Sequence, residues 1–504
     1  MGGLAWAAGA VTTGISASRA MCPQRCLSLS RFVLVLLLAG VPPATLRAAA
    51  VPGDRGAQPN PEVTYRSAPK PLPPGAVTSD WATFLGPTHN MASPETKLLP
   101  AFPADGLRVV WEMPRGSGFA APVVQGDRLI VFHRVGDEEV VECLHPLDGR
   151  RYWRFAYASA YQDRYGYNHG PRASPVIADG RVFTCGAGGR LHALDLVTGR
   201  VLWSHELLPE FKVTQNFFGV ASAPLVEGGK VIVNVGAPGG PCVVAFAADT
   251  GKQLWGAGDT WGPSYASPIP AVLQGKRRVL VFAGGESRPA TGGLLCLDPE
   301  NGRIDFTFPW RGTRFESVNA ASPVVMGNQI FLGECYGSGG VLLEVQADGT
   351  ARVGWKNPTF GMHFMTALVL GDHLYGVDGH GPRDAELVCV ERATGREVWR
   401  TQPEWTETLP ARGGTREATL GTYRASLLHV DGRVLCLGEY GHLLWIELSP
   451  QGYREVARTW LFAAPETWTP PVLSRGLLYV NQNARGMFRG EPPRLICYDL
   501  RAAQ

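Results

Sequence analysis

The sequence lacks the features that mark most metalloproteins and most membrane proteins. It contains no neighbouring pair of cysteines and no Cys-x-x-Cys, and its eleven histidines are scattered without the spacing of a metal site. The apolar run at residues 31–41 is too short to span a bilayer stably. We therefore expect no metal ion, and no transmembrane span once the signal described below has been cleaved.

The chain also lacks an excess of positive charge. Residues 1–50 hold four arginines and no acidic residue, so the remainder carries 43 basic and 44 acidic residues, a net charge of −1. A basic footprint is the electrostatic requirement for binding nucleic acid and for binding an anionic membrane surface. The composition therefore predicts neither kind of partner.

The N-terminal region has the organisation of an exported protein. The apolar run follows two arginines and is followed by small residues that allow cleavage after Ala50. Met21 is an alternative start, because the preceding residues add nothing to this signal. Val41 stands where a lipoprotein signal requires cysteine. We expect an unlipidated protein, periplasmic or secreted.

The segment that follows the signal is rich in proline. Seven of the thirty residues from Val51 to Asp80 are proline, and few are large and apolar. Such a composition is typical of an extended linker or a disordered lead. The predicted division is a signal peptide at 1–50, a Pro-rich linker at 51–79 and one folded domain at 80–504.

The domain is built from a repeat. HALDLVTGRVLW, residues 192–203, places a Thr-Gly turn four residues before a tryptophan. The same glycine-to-aromatic spacing occurs at Gly149, Gly251, Gly302 and Gly395, and weaker copies occur at Gly349 and Gly452. A pattern that recurs at a steady period belongs to the fold rather than to an active site.

A second signal, typified by ASPVIADGRVFTCG at residues 173–186, precedes each copy. It combines an Ala-Ser-Pro start with two β-rich runs around a tight turn. Its anchor positions define eight units with a mean period of about 50 residues: Pro122, Pro175, Pro224, Pro268, Pro323, Ala367, Leu427 and Pro471.

These units predict an all-β protein, an eight-bladed β-propeller of four-stranded antiparallel blades. One such sheet cannot bury both faces, so the blades must stack into a ring, with Trp203 and its copies docking between blades. The last unit lacks its fourth strand, and Leu107 to Trp111 resembles the missing piece. We expect this N-terminal strand to close the ring. A seven-bladed ring with one degenerate unit is the alternative.

The cysteines fit this interpretation. Eight remain after the signal, and four of them occupy the same slot, six residues before the turn glycine or its equivalent, in different blades. Equivalent slots in different blades are poorly placed to pair, so we expect buried free thiols at Cys143, Cys296, Cys389 and Cys497.

The repeat A-x-D-x-x-T-G-x-x-x-W resembles that of the pyrroloquinoline quinone (PQQ) type propellers, over roughly residues 107–500. DWATFLGPTHN, residues 80–90, is similar to the opening of many secreted bacterial propellers of this kind. The resemblance implies one of two activities. The family includes quinone-dependent alcohol and sugar dehydrogenases and a non-catalytic propeller that serves outer-membrane assembly. A WD-repeat propeller is excluded because the period is too long and no Trp-Asp dipeptide occurs.

The loops that enter the first strand of each blade converge on the central funnel and carry the candidate ligand-binding residues. These residues are aromatic, basic or able to offer oxygen or nitrogen ligands: His169, Arg172, Tyr265, Glu316, Asn319, His363, Tyr423, Arg424 and Trp468. In a quinone dehydrogenase, the resemblance implies Trp468 as an aromatic floor, Arg172 and Arg424 as cations for the cofactor, and Glu316 and Asn319 as calcium ligands.

Two departures from the dehydrogenases favour a binding protein. The adjacent cysteines that accompany the quinone are absent, and no aspartate is well placed as a catalytic base. We therefore assign no catalytic residue and expect no cofactor. The preferred hypothesis is an exported, monomeric, non-catalytic propeller that binds an envelope protein or a glycan. PQQ with calcium, in an alcohol or sugar dehydrogenase, is the alternative. A glycan-cleaving propeller would need a second carboxylate beside Glu316.

Overall fold

The computed structural model describes residues 56–503. The predicted secretory signal and the first residues of the Pro-rich segment lie outside the described residues. Within the described range the chain is almost entirely β, and its helix, Leu207–Glu210, is four residues long. Strands form because β-branched and aromatic residues alternate between Gly and Asp turns at hairpin spacing.

Eight antiparallel sheets follow one another along the chain as blades 1 to 8, which confirms the eight-bladed propeller and shows the seven-bladed alternative to be wrong. The strands of the first four blades have the following bounds. Blade 1 contains Val123–Gln125, Arg128–Val135, Glu138–Leu144 and Arg151–Ala158. Blade 2 contains Val176–Ala178, Arg181–Cys185, Arg190–Asp195 and Val201–Glu206. Blade 3 contains Leu225–Glu227, Lys230–Asn234, Val243–Ala247 and Gln253–Ala257. Blade 4 contains Ile269–Leu273, Lys276–Ala283, Gly293–Leu297 and Ile304–Pro309.

The second half repeats this arrangement with one insertion. Blade 5 contains Val324–Met326, Gln329–Glu334, Gly339–Val345 and Ala351–Asn357. Blade 6 contains Leu368–Leu370, His373–Asp378, Glu386–Glu391 and Glu397–Thr401. A separate hairpin, which the sequence analysis did not predict, contains Glu404–Ala411 and Gly414–Gly421. Blade 7 contains Ser426–Val430, Arg433–Leu437, His442–Ser449 and Gly452–Trp460.

Blade 8 closes the ring with a strand from the N-terminal side, as predicted. Its own strands are Val472–Ser474, Leu477–Gln482 and Arg494–Asp499, and the strand Val109–Pro114 pairs with the last of these. The closing strand begins two residues later than expected and runs three residues beyond Trp111. Closure of this kind leaves no unpaired strand edge at the junction of the two ends of the chain.

The described part of the Pro-rich segment lies against the ring. The sequence predicted an extended linker, but this part makes specific contacts with blades 1 and 8. Thr64–Tyr65 adds a fifth strand outside the closing strand. Gln58 exchanges two backbone hydrogen bonds with Arg151 of blade 1, and the backbone N–H of Lys70 donates to the Asp499 carboxylate of blade 8 at 2.6 Å. Proline removes donors but leaves carbonyls and the intervening N–H groups free to pair, so an extended chain can still dock. The segment therefore spans the closing junction.

Every blade carries a one-residue bulge in its fourth strand, directly before the aromatic position of the repeat. In blade 2 the register shifts between Val201 and Trp203, opposite Ala193, and the other seven blades show the corresponding shift. A bulge bends the strand and re-aims the side chain that follows it. Here it turns the aromatic residue toward the next blade.

The tryptophan of one blade packs on the turn glycine of the next. Trp203 donates its indole N–H to the Ala248 carbonyl of blade 3 at 3.1 Å. Gly251 has φ +71°, and a Cβ at this position would lie 2.7 Å from the Trp203 ring. The docking role predicted for Trp203 is confirmed. Five further indoles donate to a carbonyl of the following blade: Trp111, Trp153, Trp255, Trp355 and Trp399.

Two junctions lack this contact because the sequence repeat is degenerate there. Blade 4 carries Phe306, which has no N–H to donate, and blade 7 carries Ala457 at the position after its bulge. The turn glycine that faces Phe306, Gly349 of blade 5, accordingly has open space where a Cβ would stand. At the junction of blades 6 and 7 only the hydrogen bond is present, because Gly452 has open space although Trp399 donates to the Ser449 carbonyl.

A second set of contacts joins the blades near the channel. The serine of the Ala-Ser-Pro signal accepts a hydrogen bond from the backbone of the preceding blade, as Ser174 does from the Ala121 N–H at 2.9 Å and Ser267 from the Ala223 N–H at 3.0 Å. Ser322 accepts in the same way from the Ser267 N–H at 3.1 Å. These side chains satisfy inner-strand donors that would otherwise be buried without partners. The start signal is therefore a blade-to-blade connector.

Residues 79–93 lie across one end of the channel. Trp81 exchanges two backbone hydrogen bonds of 2.8 Å with Val124 of blade 1, and the Met91 carbonyl accepts from the His429 N–H of blade 7 at 2.9 Å. Between these anchors, Phe84 and Leu85 line a small cavity with the first strands of blades 2, 3 and 4. The segment whose sequence resembles the opening of related propellers thus plugs this end of the channel.

The eight cysteines of the described range are all free. Seven are buried and Cys335 is half-buried, in agreement with the expected role of the four repeat-slot cysteines as small apolar residues. Burial raises the pKa of the Cys185 thiol to about 12, so it stays protonated and unreactive at neutral pH.

The glycine-to-tryptophan contact predicts a difference between two glycine variants. Gly180 and Gly251 share φ +71°, but only Gly251 faces a ring, whereas Gly180 has open space. Gly180→Ala should lower the free energy of unfolding by about 1 kcal/mol through backbone strain alone, and Gly251→Ala by about 1–3 kcal/mol more because Trp203 must move. Urea titration of the two variants measures this difference. Equal losses of unfolding free energy in the two variants would show that Trp203 does not pack on Gly251.

Ring closure predicts the effect of shortening the N-terminal side. A chain that begins at Pro114 lacks the closing strand, exposes the edge Arg494–Asp499 and should aggregate or unfold on expression. A chain that begins at Ser79 keeps the plug and the closing strand and should stay soluble, with a lower melting temperature because Thr64–Tyr65 is lost. Sedimentation and thermal melting measure both outcomes. A soluble, equally stable chain from Pro114 would contradict N-terminal closure.

Candidate functional site

Five aromatic side chains meet at the channel end where the loops enter the first strands. Trp468 lies 5.3 Å from Phe119, 5.5 Å from Tyr167 and 6.1 Å from Phe364 between ring centroids, and Tyr167 lies 5.8 Å from Phe218. We call this group the aromatic lid. Its members come from the loops before blades 8, 1, 2, 6 and 3. Trp468 contacts rings from blades that are not its neighbours, so the rings must lie across the mouth of the channel.

Arg172 lies beneath the lid and is fully committed to internal partners. Its guanidinium donates to the Asp163 carboxylate at 2.5 Å and to the Asn168 and Gly170 carbonyls at 3.1 Å. The Asp163 side chain is completely buried, and that of Arg172 is 9% exposed. The guanidinium also lies within about 6 Å of the Phe119 and Phe218 rings, where a cation is attracted by the aromatic faces. The arginine predicted to hold a cofactor is therefore already neutralised.

Asp163 also fixes the loop that carries the exposed part of the lid. One carboxylate oxygen accepts from the Tyr165 N–H at 2.8 Å and the Tyr167 N–H at 3.4 Å, while the Asp163 N–H donates to the imidazole Nδ1 of His169 at 2.9 Å. An aspartate that accepts from the two following turn N–H groups is a typical loop-ordering element. The structure thus places His169 as a loop-ordering residue beside Asp163.

Arg424 has the same kind of partner on the other side of the mouth. Its guanidinium makes a two-bond ion pair with Glu439, with one N–O distance of 3.0 Å, and its Cζ lies 4.7 Å from the centre of the Trp468 ring. The Trp468 indole N–H donates to the same carboxylate at 3.0 Å. The Glu439 side chain is 4% exposed. A single buried carboxylate therefore holds both Arg424 and Trp468 in place.

Tyr265 and Asn319 support the loops from below. The Tyr265 hydroxyl accepts a hydrogen bond from the Phe218 N–H at 2.8 Å, and burial raises the Tyr265 pKa well above its ordinary value. The Asn319 amide donates to the Ala283 and Trp310 carbonyls at 2.7 and 2.9 Å. The Tyr265 hydroxyl and the Asn319 amide nitrogen are thus used by backbone groups, as polar residues at strand entrances commonly are, whereas the buried Asn319 Oδ1 has no hydrogen-bond partner among the described residues.

His363, Tyr423 and Glu316 occupy the remaining loops. The His363 ring packs against Phe364 and lies 3.3 Å from the Tyr336 hydroxyl through Nε2, and burial lowers the His363 pKa to about 3, so it is neutral in the physiological range. Tyr423 packs edge-on against Tyr440. Glu316 is exposed at the rim.

The structure places the two predicted calcium ligands, Glu316 and Asn319, in different surroundings. The Asn319 amide nitrogen donates to two carbonyls and leaves its buried Oδ1 without a hydrogen-bond partner in the part of the chain that the structure describes, whereas the Glu316 side chain is exposed. Across residues 56–503, no group of three or more His, Cys, Asp or Glu side chains is arranged to hold a metal ion. Calcium prefers six to eight oxygen ligands, which is more than the side chains of Glu316 and Asn319 supply.

The sequence analysis found the loops but missed the acidic partners. Asp163 and Glu439 were not singled out, because each lies in a short polar stretch with no repeat signal and its arginine is nine or fifteen residues away. Phe119, Phe218 and Phe364 were also missed. Their signal was available, since each occupies a loop that precedes an anchor position, as Trp468 does.

The model of a protein family described as "Outer membrane protein assembly factor BamB" matches residues 137–401, more than half of the chain. The chain belongs to this family. The resemblance found in the A-x-D-x-x-T-G-x-x-x-W repeat is thereby confirmed.

Curated relatives of two kinds are similar to the chain. The outer membrane protein assembly factor BamB of Shewanella oneidensis is 22% identical over 277 residues, which cover 52% of this chain and 65% of that protein. The 1-butanol dehydrogenase (cytochrome c) of Thauera butanivorans is 27% identical over 250 residues, which cover 47% of this chain and 34% of that protein. The chain therefore spans only about a third of that dehydrogenase.

Solved structures show the same fold. BamB from Moraxella catarrhalis superposes with a TM-score of 0.52 at 17% identity, covering 79% of this chain and 99% of that one. A europium-containing methanol dehydrogenase superposes with a TM-score of 0.56 at 13% identity, covering 84% and 98%. Within residues 56–503 of this BamB-family chain, no helix has the length and apolar character needed to cross a membrane.

The buried ion pair under the lid predicts a large effect of removing one charge. Asp163→Asn keeps the acceptor for the loop N–H groups but leaves Arg172 without a counterion, so the free energy of unfolding should fall by about 3–5 kcal/mol. Glu447→Gln, which breaks the exposed pair with Arg454, should change it by less than about 1 kcal/mol. Urea titration measures both. An equal, small effect of the two changes would show that Asp163 and Arg172 are not a buried pair.

Proposed function

We propose that this BamB-family chain is an exported, non-catalytic propeller that binds an envelope protein or a glycan through the face that carries the aromatic lid. The observation that carries the proposal is the filled mouth: five aromatic rings lie where the loops converge, and the two nearby arginines are neutralised by Asp163 and Glu439. A face of this kind offers a surface for recognition, and the surface lies on loops held by a rigid ring.

The same observation weighs against the quinone-dependent alternative. A planar tricarboxylate needs stacking surfaces and several fixed cations at once. Here a cofactor carboxylate would compete with Asp163 for Arg172 and with Glu439 for Arg424, and each of those carboxylates is buried beside its arginine. Burying a further anionic group beside these pairs would be unfavourable without a new cation.

The proposed place of action follows from the predicted signal and from the relatives. The family's description and one relative's name refer to outer-membrane assembly, and the chain's signal predicts export to the periplasm or beyond. We propose that the mature protein is a periplasmic or secreted monomer, and that its partner belongs to the cell envelope.

Reconstitution with the cofactor tests the proposal. The mature protein, mixed with PQQ and Ca²⁺, should give no binding heat in calorimetry and no dye reduction with alcohols or aldoses, because the lid and the paired arginines occupy the mouth. Submicromolar, Ca²⁺-dependent binding that is lost in Trp468→Ala and Arg424→Ala would overturn the proposal and identify a dehydrogenase.

A further inference from the structure

A rigid turn presents two exposed aromatic side chains at the lid. Tyr165 is 53% exposed and Tyr167 is 46% exposed, and Gly166 between them has φ +79°. Asp163 accepts hydrogen bonds from both tyrosine N–H groups, so the turn is held in one conformation before any ligand arrives. Exposed aromatic residues on a pre-ordered loop bind with little loss of conformational entropy.

The tyrosine rings are supported from behind by other aromatic residues. Tyr165 lies 6.1 Å from Phe217 and 5.4 Å from Phe218, and Tyr167 lies 5.8 Å from Phe218 and 5.5 Å from Trp468. We call Tyr165 and Tyr167 with these supports the tyrosine platform. About half of each tyrosine side chain remains free to contact a ligand.

Three arginines near the platform are each paired with a carboxylate. Arg164, next to Tyr165, pairs with Glu286 across the loop. Arg172 pairs with Asp163, and Arg424 pairs with Glu439. These three pairs carry no net charge, so they do not favour a strongly acidic or a strongly basic ligand.

A cleft lined by neutral polar side chains adjoins the platform. Thr214, which is exposed, and Gln215, which is half-buried, line it with apolar residues of the loop between blades 2 and 3. Asn216, Asn234 and Ser264 also line it, but they are buried and already hydrogen-bonded to protein groups. Gln215 and Asn216 directly precede Phe217 and Phe218, so the cleft and the platform share one loop. Amides and hydroxyls offer both donors and acceptors without charge.

From this juxtaposition we infer that the tyrosine platform and the adjoining cleft bind a neutral saccharide. The inference rests on the proposed binding function and names its ligand class. A sugar ring has an apolar C–H face that packs on an aromatic ring and hydroxyls that pair with amides and hydroxyls, which is the chemistry present here. The exposed aromatic area is also small. A fully buried aromatic side chain covers about 150–250 Å², and about half of each tyrosine is exposed. The exposed area of the two tyrosines is therefore far below the roughly 800 Å² that each partner buries in a stable protein interface.

Binding of neutral oligosaccharides tests the inference. The mature protein is titrated with chitohexaose, cellohexaose, maltohexaose and laminarihexaose up to millimolar concentration, and binding is followed by saturation-transfer NMR and by intrinsic fluorescence. At least one should bind, and Tyr165→Ala and Tyr167→Ala should each weaken binding about tenfold, because a stacking contact of the size measured for aromatic pairs has that effect on a dissociation constant.

Matched variants separate the site from general effects. Tyr65→Ala removes a tyrosine that is 52% exposed on the fifth strand of blade 8, and it should leave saccharide binding unchanged. Gln215→Ala changes the cleft without touching the lid and should weaken binding. Melting temperatures of all four variants exclude unfolding as the cause of any loss.

Three results would overturn the inference. One is that no neutral oligosaccharide binds. Another is that binding is equally strong in the two platform variants. A third is that heparin, an anionic polysaccharide, binds more tightly than every neutral probe. If no saccharide bound but a crosslinked envelope protein were lost in Tyr165→Ala and Tyr167→Ala, the ligand class would be wrong while the binding function stood. Binding of PQQ in the separate calorimetric test would refute the binding function itself.

Discussion

The packing of one blade's tryptophan on the next blade's turn glycine is the constraint on which the ring depends. A four-stranded sheet of this chain has two apolar faces, and each must be covered by a neighbour. Trp203 covers the turn of blade 3 only because Gly251 has no Cβ and because a bulge aims the indole forward. The ring-to-glycine contact recurs at five of the eight junctions, and an indole N–H bond to the next blade occurs at six. It thus sets how the blades are spaced and where the connecting loops end.

The ring determines the positions of the loops. Because blades 8, 1, 2, 3 and 6 are held in place, aromatic residues that are far apart in sequence meet at one end of the channel, while residues 79–93 close the other end. Inside the lid, Asp163 and Glu439 each neutralise an arginine, so the mouth is held together by internal ion pairs. A site that satisfies its own charges in this way is suited to present a surface and poorly suited to hold an anionic cofactor.

The fold was predictable from the sequence because its signals are local and repeated. The anchor positions of the start signal define all eight blades, and the incomplete last unit indicated that a strand near Trp111 closes the ring. The docking of Thr64–Tyr65 was not predictable in this way, since a Pro-rich segment shows no strand alternation. The hairpin from Glu404 to Gly421 was also missed, because it lies outside the period of the repeat.

The site was predictable in location and only partly in composition. Arg172, Arg424 and Trp468 lie in the loops at the mouth as expected, but their partners Asp163 and Glu439 are brought to them by the three-dimensional arrangement of loops. The sequence could not predict that the Asn319 amide nitrogen donates to carbonyls of blade 4 and the following loop, because these groups are brought together only by the fold. Residue type and loop position thus predicted which residues lie at the mouth, and the structure shows which of their polar groups are already paired within the loops.

The central claim is that this mouth holds no quinone, and native mass spectrometry tests it most directly. The protein is purified from the periplasm of a host that makes PQQ, without added cofactor or chelator, and its intact mass is measured. The account predicts the mass of the mature polypeptide alone. A mass increased by one quinone and one calcium ion per chain would contradict it.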